Sequence, residues 1–178
     1  MMIDLNSPDD DALPAWKTTL HVITGARHGG QIETVLDQLI ALNEAHPHVA
    51  EIVYQIAWTL DSMDREAEAL PHYERAIALG LPPNELSGAL LGLGSTLREL
   101  GQLERAADTL ESGRTQFPAN REFDVFLALV RHDQGRSGEA LQLALTVLVD
   151  TSEDIGVTAY QRTIRHQIGK LMSQAKPG

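Results

Sequence analysis

The 178-residue chain contains no cysteine. Disulfides, thiolate metal sites and cysteine nucleophiles are therefore excluded together, and a reducing compartment is compatible with the composition. Aromatic residues make up only 4% of the sequence although 43% of it is hydrophobic, so a core has to be built from aliphatic side chains and alanine. No apolar run approaches the roughly 18 residues a membrane helix needs. The N-terminal MMIDLNSPDDDALP has no basic region followed by an apolar run, so no secretory signal is visible. These features predict a soluble, cytoplasmic protein without a membrane partner. Positive charge is also scarce. Lys and Arg number 14 against 25 Asp and Glu, a net charge of -11. Nucleic acid is a polyanion and its binding needs a basic face. None is visible over most of the chain, so nucleic acid is not an expected partner.

The charge is unevenly placed. Residues from Gly156 onward include Arg162, Arg165, Lys170 and Lys176 and no acid, whereas the first thirteen include Asp4, Asp9, Asp10 and Asp11 and no base. A charged end of this kind is either a solvated helix face or a contact with the opposite end or a neighbouring molecule.

Motifs that carry chemistry are missing. There is no HExxH, no P-loop and no GxSxG elbow. Seven histidines are present, and His46-Pro47-His48 is the closest to a metal-ligand spacing. Metal sites need convergent ligands held by further hydrogen bonds, so this pair alone does not predict one. Asp9-Asp10-Asp11 reads as a solvated tail, and Asp61, Asp64, Glu66 and Glu68 as a polar turn. No catalytic constellation, cofactor or metal is expected.

What the sequence does contain is a repeat. Gly30, Asp64, Gly101 and Gly135 stand 34, 37 and 34 residues apart. Five residues after each lie Val35, Ala69, Ala106 and Ala140, and seven before each lie Ile23, Ala57, Gly94 and Ala128. A period near 34 marks a helix-turn-helix solenoid. The series Leu90, Leu93, Gly94, Leu97, Gly101, Ala106, Leu110, Gly113, Pro118 resembles the tetratricopeptide repeat at each signature position. A second copy has Val53, Ile56, Ala57, Leu60, Ala69, Tyr73 and Ala76. A looser first copy has Val22, Gly30, Leu39 and Pro47, with Thr19 and Ala26 where bulk is expected. A fourth keeps Leu127, Ala128, Gly135 and Ala140 but carries Asp124 and Arg131 at positions normally apolar, with Phe123, Phe126 and Val130 as alternative bulk.

The resemblance implies an all-α, right-handed superhelical solenoid of about nine helices, similar to the short bacterial stand-alone members of the family. The expected organisation is an acidic tail over 1–13, repeats at about 16–49, 50–83, 87–120 and 121–154, and a C-terminal capping helix over 155–175. Small residues at Gly94, Ala106, Gly113 and Ala76 let helices approach closely. Gly101 ends a first helix in the left-handed region, Pro118 ends a second one, and Asn84 and Asn120 are candidate N-caps. GLPPNE inserts three residues at a turn and precedes a first helix longer than usual. Val157, Tyr160, Ile164, Ile168 and Leu171 form one stripe of a capping helix that starts at Asp154, with Thr151 and Asp154 resembling a capping box. Such a helix either covers the last repeat or offers a dimerisation surface.

In the family the first helix of each repeat lines the concave face. Carried over position by position, the groove residues are Leu20, Tyr54, Leu91 and Val125, then Thr24, Trp58, Ser95 and Leu129, then Arg27, Asp61, Arg98 and His132. The lysine and asparagine pattern that grips a peptide's terminal carboxylate in some members is missing. Tyr54 and Trp58 fall one helical turn apart on one face, and exposed aromatics of this kind are favoured anchors. The resemblance therefore implies a non-catalytic module that binds a protein or peptide partner, with Arg27 and Arg98 reading acidic groups. Two alternatives stay open. The groove is covered by Met1, Met2, Ile3 and Leu5 of the chain itself, or the apolar surface is consumed in a homodimer.

Overall fold

The computed structural model describes residues 13–29 and 31–174. Ten α-helices and one 3-10 turn order these residues, and none of them lies in a strand. The helices are α1 (Ala15–Gly25), α2 (Ile32–Ala45), α3 (Ala50–Asp61), α4 (Glu66–Leu79), α5 (Pro83–Glu99), α6 (Leu103–Gln116), α7 (Glu122–Asp133), α8 (Ser137–Thr151), α9 (Ile155–Ala159) and α10 (Gln161–Gln174), with the 3-10 turn at Arg27–Gly29. Consecutive helices pair as hairpins, and each hairpin packs on the next. The first helices α3, α5 and α7 also touch one another, which makes them a continuous inner layer. This is the all-α solenoid implied by the repeat.

Three hairpins are closed by the same backbone device. Asp64, Gly101 and Gly135 have φ of 55°, 71° and 77°. Directly after each, an N–H reaches back five residues: Arg65 to the Leu60 carbonyl at 3.1 Å, Gln102 to Leu97 at 2.8 Å and Arg136 to Arg131 at 2.8 Å. This is a Schellman closure, which needs a left-handed residue and so favours glycine. Aspartate tolerates the conformation at Asp64 because its short polar side chain is among the least strained there. Gly30, the corresponding residue of the first hairpin, lies outside the described residues.

Close approach depends on missing side chains. A Cβ on Gly94 would stand 2.6 Å from both Cγ and Cδ2 of Leu110. Leu110 of α6 is therefore what Gly94 makes room for, and Ala106 of the same helix is fully buried. A Cβ on Gly113 would fall on the ring of Phe123 in the following hairpin, as expected for a residue that lets the next pair approach. Phe123 stacks on Phe117 with centroids 6.4 Å apart.

Several local expectations are corrected. Asn84 lies in the first turn of α5, where Pro82 holds the N-cap position, and Asn120 precedes α7, capped at Arg121. Asn120 instead donates to Ser87 Oγ at 2.7 Å and ties hairpin four to hairpin three. α5 is the expected long first helix, with 17 residues against 12 in α3 and in α7. In α1 the buried residues are Leu20 and Ile23, followed by buried Arg27 in the 3-10 turn, whereas Val22 is 70% exposed. The helix is turned so that its best apolar pair meets α2, which removes Val22 from the core. In α7, Asp124 and Arg131 face back toward α6. Asp124 is buried and pairs with Arg114 at 3.3 Å and Arg121 at 3.0 Å, and Arg131 pairs with Glu111. Ion pairs thus replace apolar contacts at the two departures from the repeat pattern, while Phe123 and Val130 supply the bulk.

The cap is two helices rather than one. Asp154 does cap, accepting from the Val157 N–H at 2.9 Å, but Thr151 closes α8 by donating to its own helix at the Val147 carbonyl. The helix breaks at Tyr160, which is 67% exposed and leaves the stripe. α10 packs on α8 through buried Ile168, Gln161 donates to the Val149 carbonyl at 2.9 Å, and Arg165 pairs with Asp150 at 2.8 Å. One basic residue of the C-terminal end is therefore spent on docking the cap. Asp150 also pairs with Arg121 at 2.7 Å, so one carboxylate joins the cap to the start of α7.

Candidate functional site

α3 sets the geometry of the inner face. Its residues at 52, 53, 56, 57, 59 and 60 are buried, which turns Tyr54, Trp58 and Asp61 toward the groove. Tyr54 and Trp58 are stacked, with ring planes 14° apart and centroids 6.3 Å apart. Tyr54 also meets Tyr73 of α4 at 6.3 Å in a tilted arrangement. Trp58 keeps 41% of its surface exposed, whereas Tyr73 is fully buried.

α5 faces these rings with small residues. Gly88 leaves space for the Tyr54 hydroxyl, and Gly92 for Tyr73, whose Cζ would stand 2.5 Å from an added Cβ. The two glycines are one turn apart, so a single face of α5 is cut back to receive both tyrosines. Above them a pocket of about 310 Å³ opens, lined by Tyr54, Trp58 and Asp61 of α3, Leu91 and Ser95 of α5, and Phe126 of α7. Leu91 and Ser95 are half-buried, and Val125 and Leu129 of α7 are 41% and 42% exposed and extend the apolar strip.

Two residues expected in the groove are elsewhere. Leu20 is buried in the core with Ile23, a consequence of the turned α1. Arg27 is 8% exposed and donates to Gln55 Oε1 at 2.7 Å and Thr59 Oγ1 at 3.1 Å. Its guanidinium carbon lies 4.1 Å from the centroid of the Trp58 ring. Arg27 therefore acts on the groove from behind, as a planar support for the tryptophan. Its burial lowers its proton affinity, and its Nε has no hydrogen-bond partner. Arg98 is engaged as well, paired with Asp133 at 2.6 Å and Glu99 at 2.7 Å. Both arginines are thus engaged by neighbouring side chains.

Asp61, which the sequence presents both as a groove position and as part of a polar turn, lines the pocket. It accepts from the Tyr73 hydroxyl at 3.2 Å on Oδ2 and from Thr96 Oγ1 at 3.1 Å on Oδ1. Burial raises its proton affinity, the two hydroxyls lower it in part, and Glu66 and Glu99 raise it further. The Tyr73 hydroxyl is pushed far up by burial and by the Asp61 charge, and Tyr54 is pushed up chiefly by burial. The signal that could have found this site is the Gly88, Gly92, Ser95 spacing on α5, which reads as a cut-back helix face opposite two tyrosines.

Among the described residues no group of three or more His, Asp or Glu is arranged to hold a metal ion. None of the described helices is long and apolar enough to cross a membrane. The segment 1–12, including the residues expected to fold into the groove, lies outside the described residues.

Comparison with known proteins agrees with this architecture. No curated protein matches the sequence. Among solved structures, a crystal structure of MamA has a TM-score of 0.66 at 19% identity over 75% of this chain and 72% of that chain. A second MamA structure, MSR-1, gives 0.67 at 18% identity over 82% and 83%. YrrB, described as a TPR protein with an unusual peptide-binding site, gives 0.67 at 16% identity over 84% and 75%. At these identities the likeness is one of fold. The sequence model of the tetratrico peptide repeat matches residues 50–171, and with stacked hairpins on the page, three of them sharing one turn closure, the chain belongs to the tetratricopeptide repeat family.

Proposed function

We propose that the protein is a non-catalytic interaction module that binds an extended peptide segment or a helix of another protein in its concave groove. The observation that carries this is the stacked Tyr54–Trp58 pair at the mouth of the pocket, held from behind by Arg27 and continued by the exposed Val125 and Leu129. Large, rigid aromatics bind at little entropic cost and are the side chains most often found at interface hot spots. YrrB, of the same fold, is described as having a peptide-binding site, which supports the reading by analogy. Leu91 and Ser95 form the opposite wall. Leu20, Arg27 and Arg98 act indirectly, through the core and through neighbouring side chains. The test is to map a peptide, selected from a random display library against the whole protein, by amide shifts of the labelled chain. Shifts centred on α3, α5 and α7 support the groove, and shifts confined to the outer helices overturn it.

Self-association is the second reading, supported by the other end of the molecule. Leu141 and Leu148 of α8 are 48% exposed, and Ile155 and Tyr160 are 86% and 67% exposed. Such a surface favours a second copy of the chain. Light scattering over a wide concentration range separates the two: a stable dimer dissociated by Leu148→Glu assigns the apolar surface to a homodimer, and a mass of 19.5 kDa throughout removes that reading.

A further inference from the structure

The pocket has a charged floor that an aromatic anchor does not need. Among the described residues that line it, Asp61 alone carries a formal charge. Its two hydrogen-bond donors, Tyr73 and Thr96, are neutral. The two arginines expected in the groove are engaged by other groups, Arg98 by Glu99 and Asp133 and Arg27 by Gln55 and Thr59. The charges that do reach Asp61 are those of Glu66 and Glu99, both negative. An asparagine would accept from one of the two hydroxyls and donate to the other, without the desolvation that a half-buried carboxylate suffers. A carboxylate below aromatic walls is the arrangement that favours a cation, through the ion pair and through the negative ring faces.

We propose that this pocket takes the cationic side chain of a partner peptide, a lysine or arginine, with its charged end against Asp61 and its methylene stem along Tyr54 and Trp58. The inference rests on the groove being the peptide site and specifies what it reads. The volume of about 310 Å³ suits one long side chain, at the low end of ligand pockets. The net charge of -11 acts in the same direction, drawing basic segments toward the molecule and repelling acidic ones. It reverses the expectation that Arg27 and Arg98 would read acidic groups.

The experiment titrates the labelled whole chain with four blocked amino acids, the N-acetyl N-methylamides of arginine, lysine, citrulline and norleucine, and follows the Trp58 indole and the Gly88 and Gly92 amides. Arginine and lysine should move these resonances saturably. Citrulline, the neutral counterpart of arginine, should bind about tenfold more weakly or not at all. Asp61→Asn should lose the same factor for arginine and lysine while keeping the dispersion of the parent spectrum. The proposal is overturned if citrulline binds as well as arginine, if Asp61→Asn binds both cations as the parent does, or if neither cation moves the pocket. Norleucine separates the two readings. If it shifts the pocket where the cations do not, the charge assignment fails and the aromatic groove stands. If no probe moves the pocket, both fail.

Discussion

The guanidinium of Arg27 lies 4.1 Å from the ring centroid of Trp58 and hydrogen-bonds Gln55 and Thr59 on the same helix. A residue from the first hairpin thereby fixes the most exposed aromatic of the second. Replacing it removes a cation–π contact and charge-assisted hydrogen bonds and leaves a gap beside Trp58 of α3. Arg27→Ala should lower unfolding free energy by about 2 kcal/mol, measured by urea denaturation, and should broaden the Trp58 indole resonance. Arg27→Lys keeps the charge without the planar fork and should fall between the two.

Gly94 and Gly169 are both helical, and their substitutions should have opposite signs. At Gly94 an added methyl meets the fully buried Leu110 at 2.6 Å, so α5 and α6 must separate. Gly94→Ala should destabilise by about 1–3 kcal/mol. At Gly169 an added methyl meets nothing within 4 Å, so only helix propensity acts. Gly169→Ala should stabilise α10 by up to about 1 kcal/mol. Thermal and urea unfolding of the two variants check both.

The Asp61 carboxyl is raised above its usual range, chiefly by burial. A raised acid holds its proton more readily when folded than when unfolded, so its contribution to stability is greatest below the unfolded value and declines as pH rises through the folded one. The charged form at neutral pH is therefore a burden on the fold. Asp61→Asn should raise Tm at pH 7, and the gain should shrink on acidification toward the ordinary aspartate range. A variant less stable than the parent at pH 7 would contradict this.

The cap hangs on few contacts. Ile168 is the buried residue of α10, supported by Arg165 on Asp150. Ile168→Asp should undock α10 and make residues near Gln161 the first site of limited proteolysis. The middle hairpins should keep their hydrogen-exchange protection, because repeat solenoids are held by nearest-neighbour interfaces.

The repeat was legible because its constraints are local and specific. A left-handed turn admits few residues, so Asp64, Gly101 and Gly135 could be aligned, and the structure gives all three a positive φ and the same closing hydrogen bond. The buried faces of α3 and α5 follow from their spacing for the same reason. The first hairpin was not legible in detail. There Leu20, Ile23 and Arg27 are buried and Val22 is exposed, an outcome set by packing rather than by the repeat positions. Family positions carried onto that hairpin place Leu20 and Arg27 in the groove, whereas both are buried. Asp61 falls on the groove face by its repeat position, yet an acid at a helix end also looks like a solvated turn. Its hydrogen bonds to Tyr73, twelve residues on, and Thr96, thirty-five on, are not legible in the sequence. The N-caps failed for a related reason: asparagine near a helix start has several local partners, and Asn120 chose Ser87.

The central claim is that Tyr54 and Trp58 anchor a partner. The most direct test is calorimetric titration of one library-selected peptide into the parent, Tyr54→Ala and Trp58→Ala, each first shown to keep the parent's helicity. The account predicts that both variants bind at least about tenfold more weakly. Equal Kd values in all three proteins would contradict it.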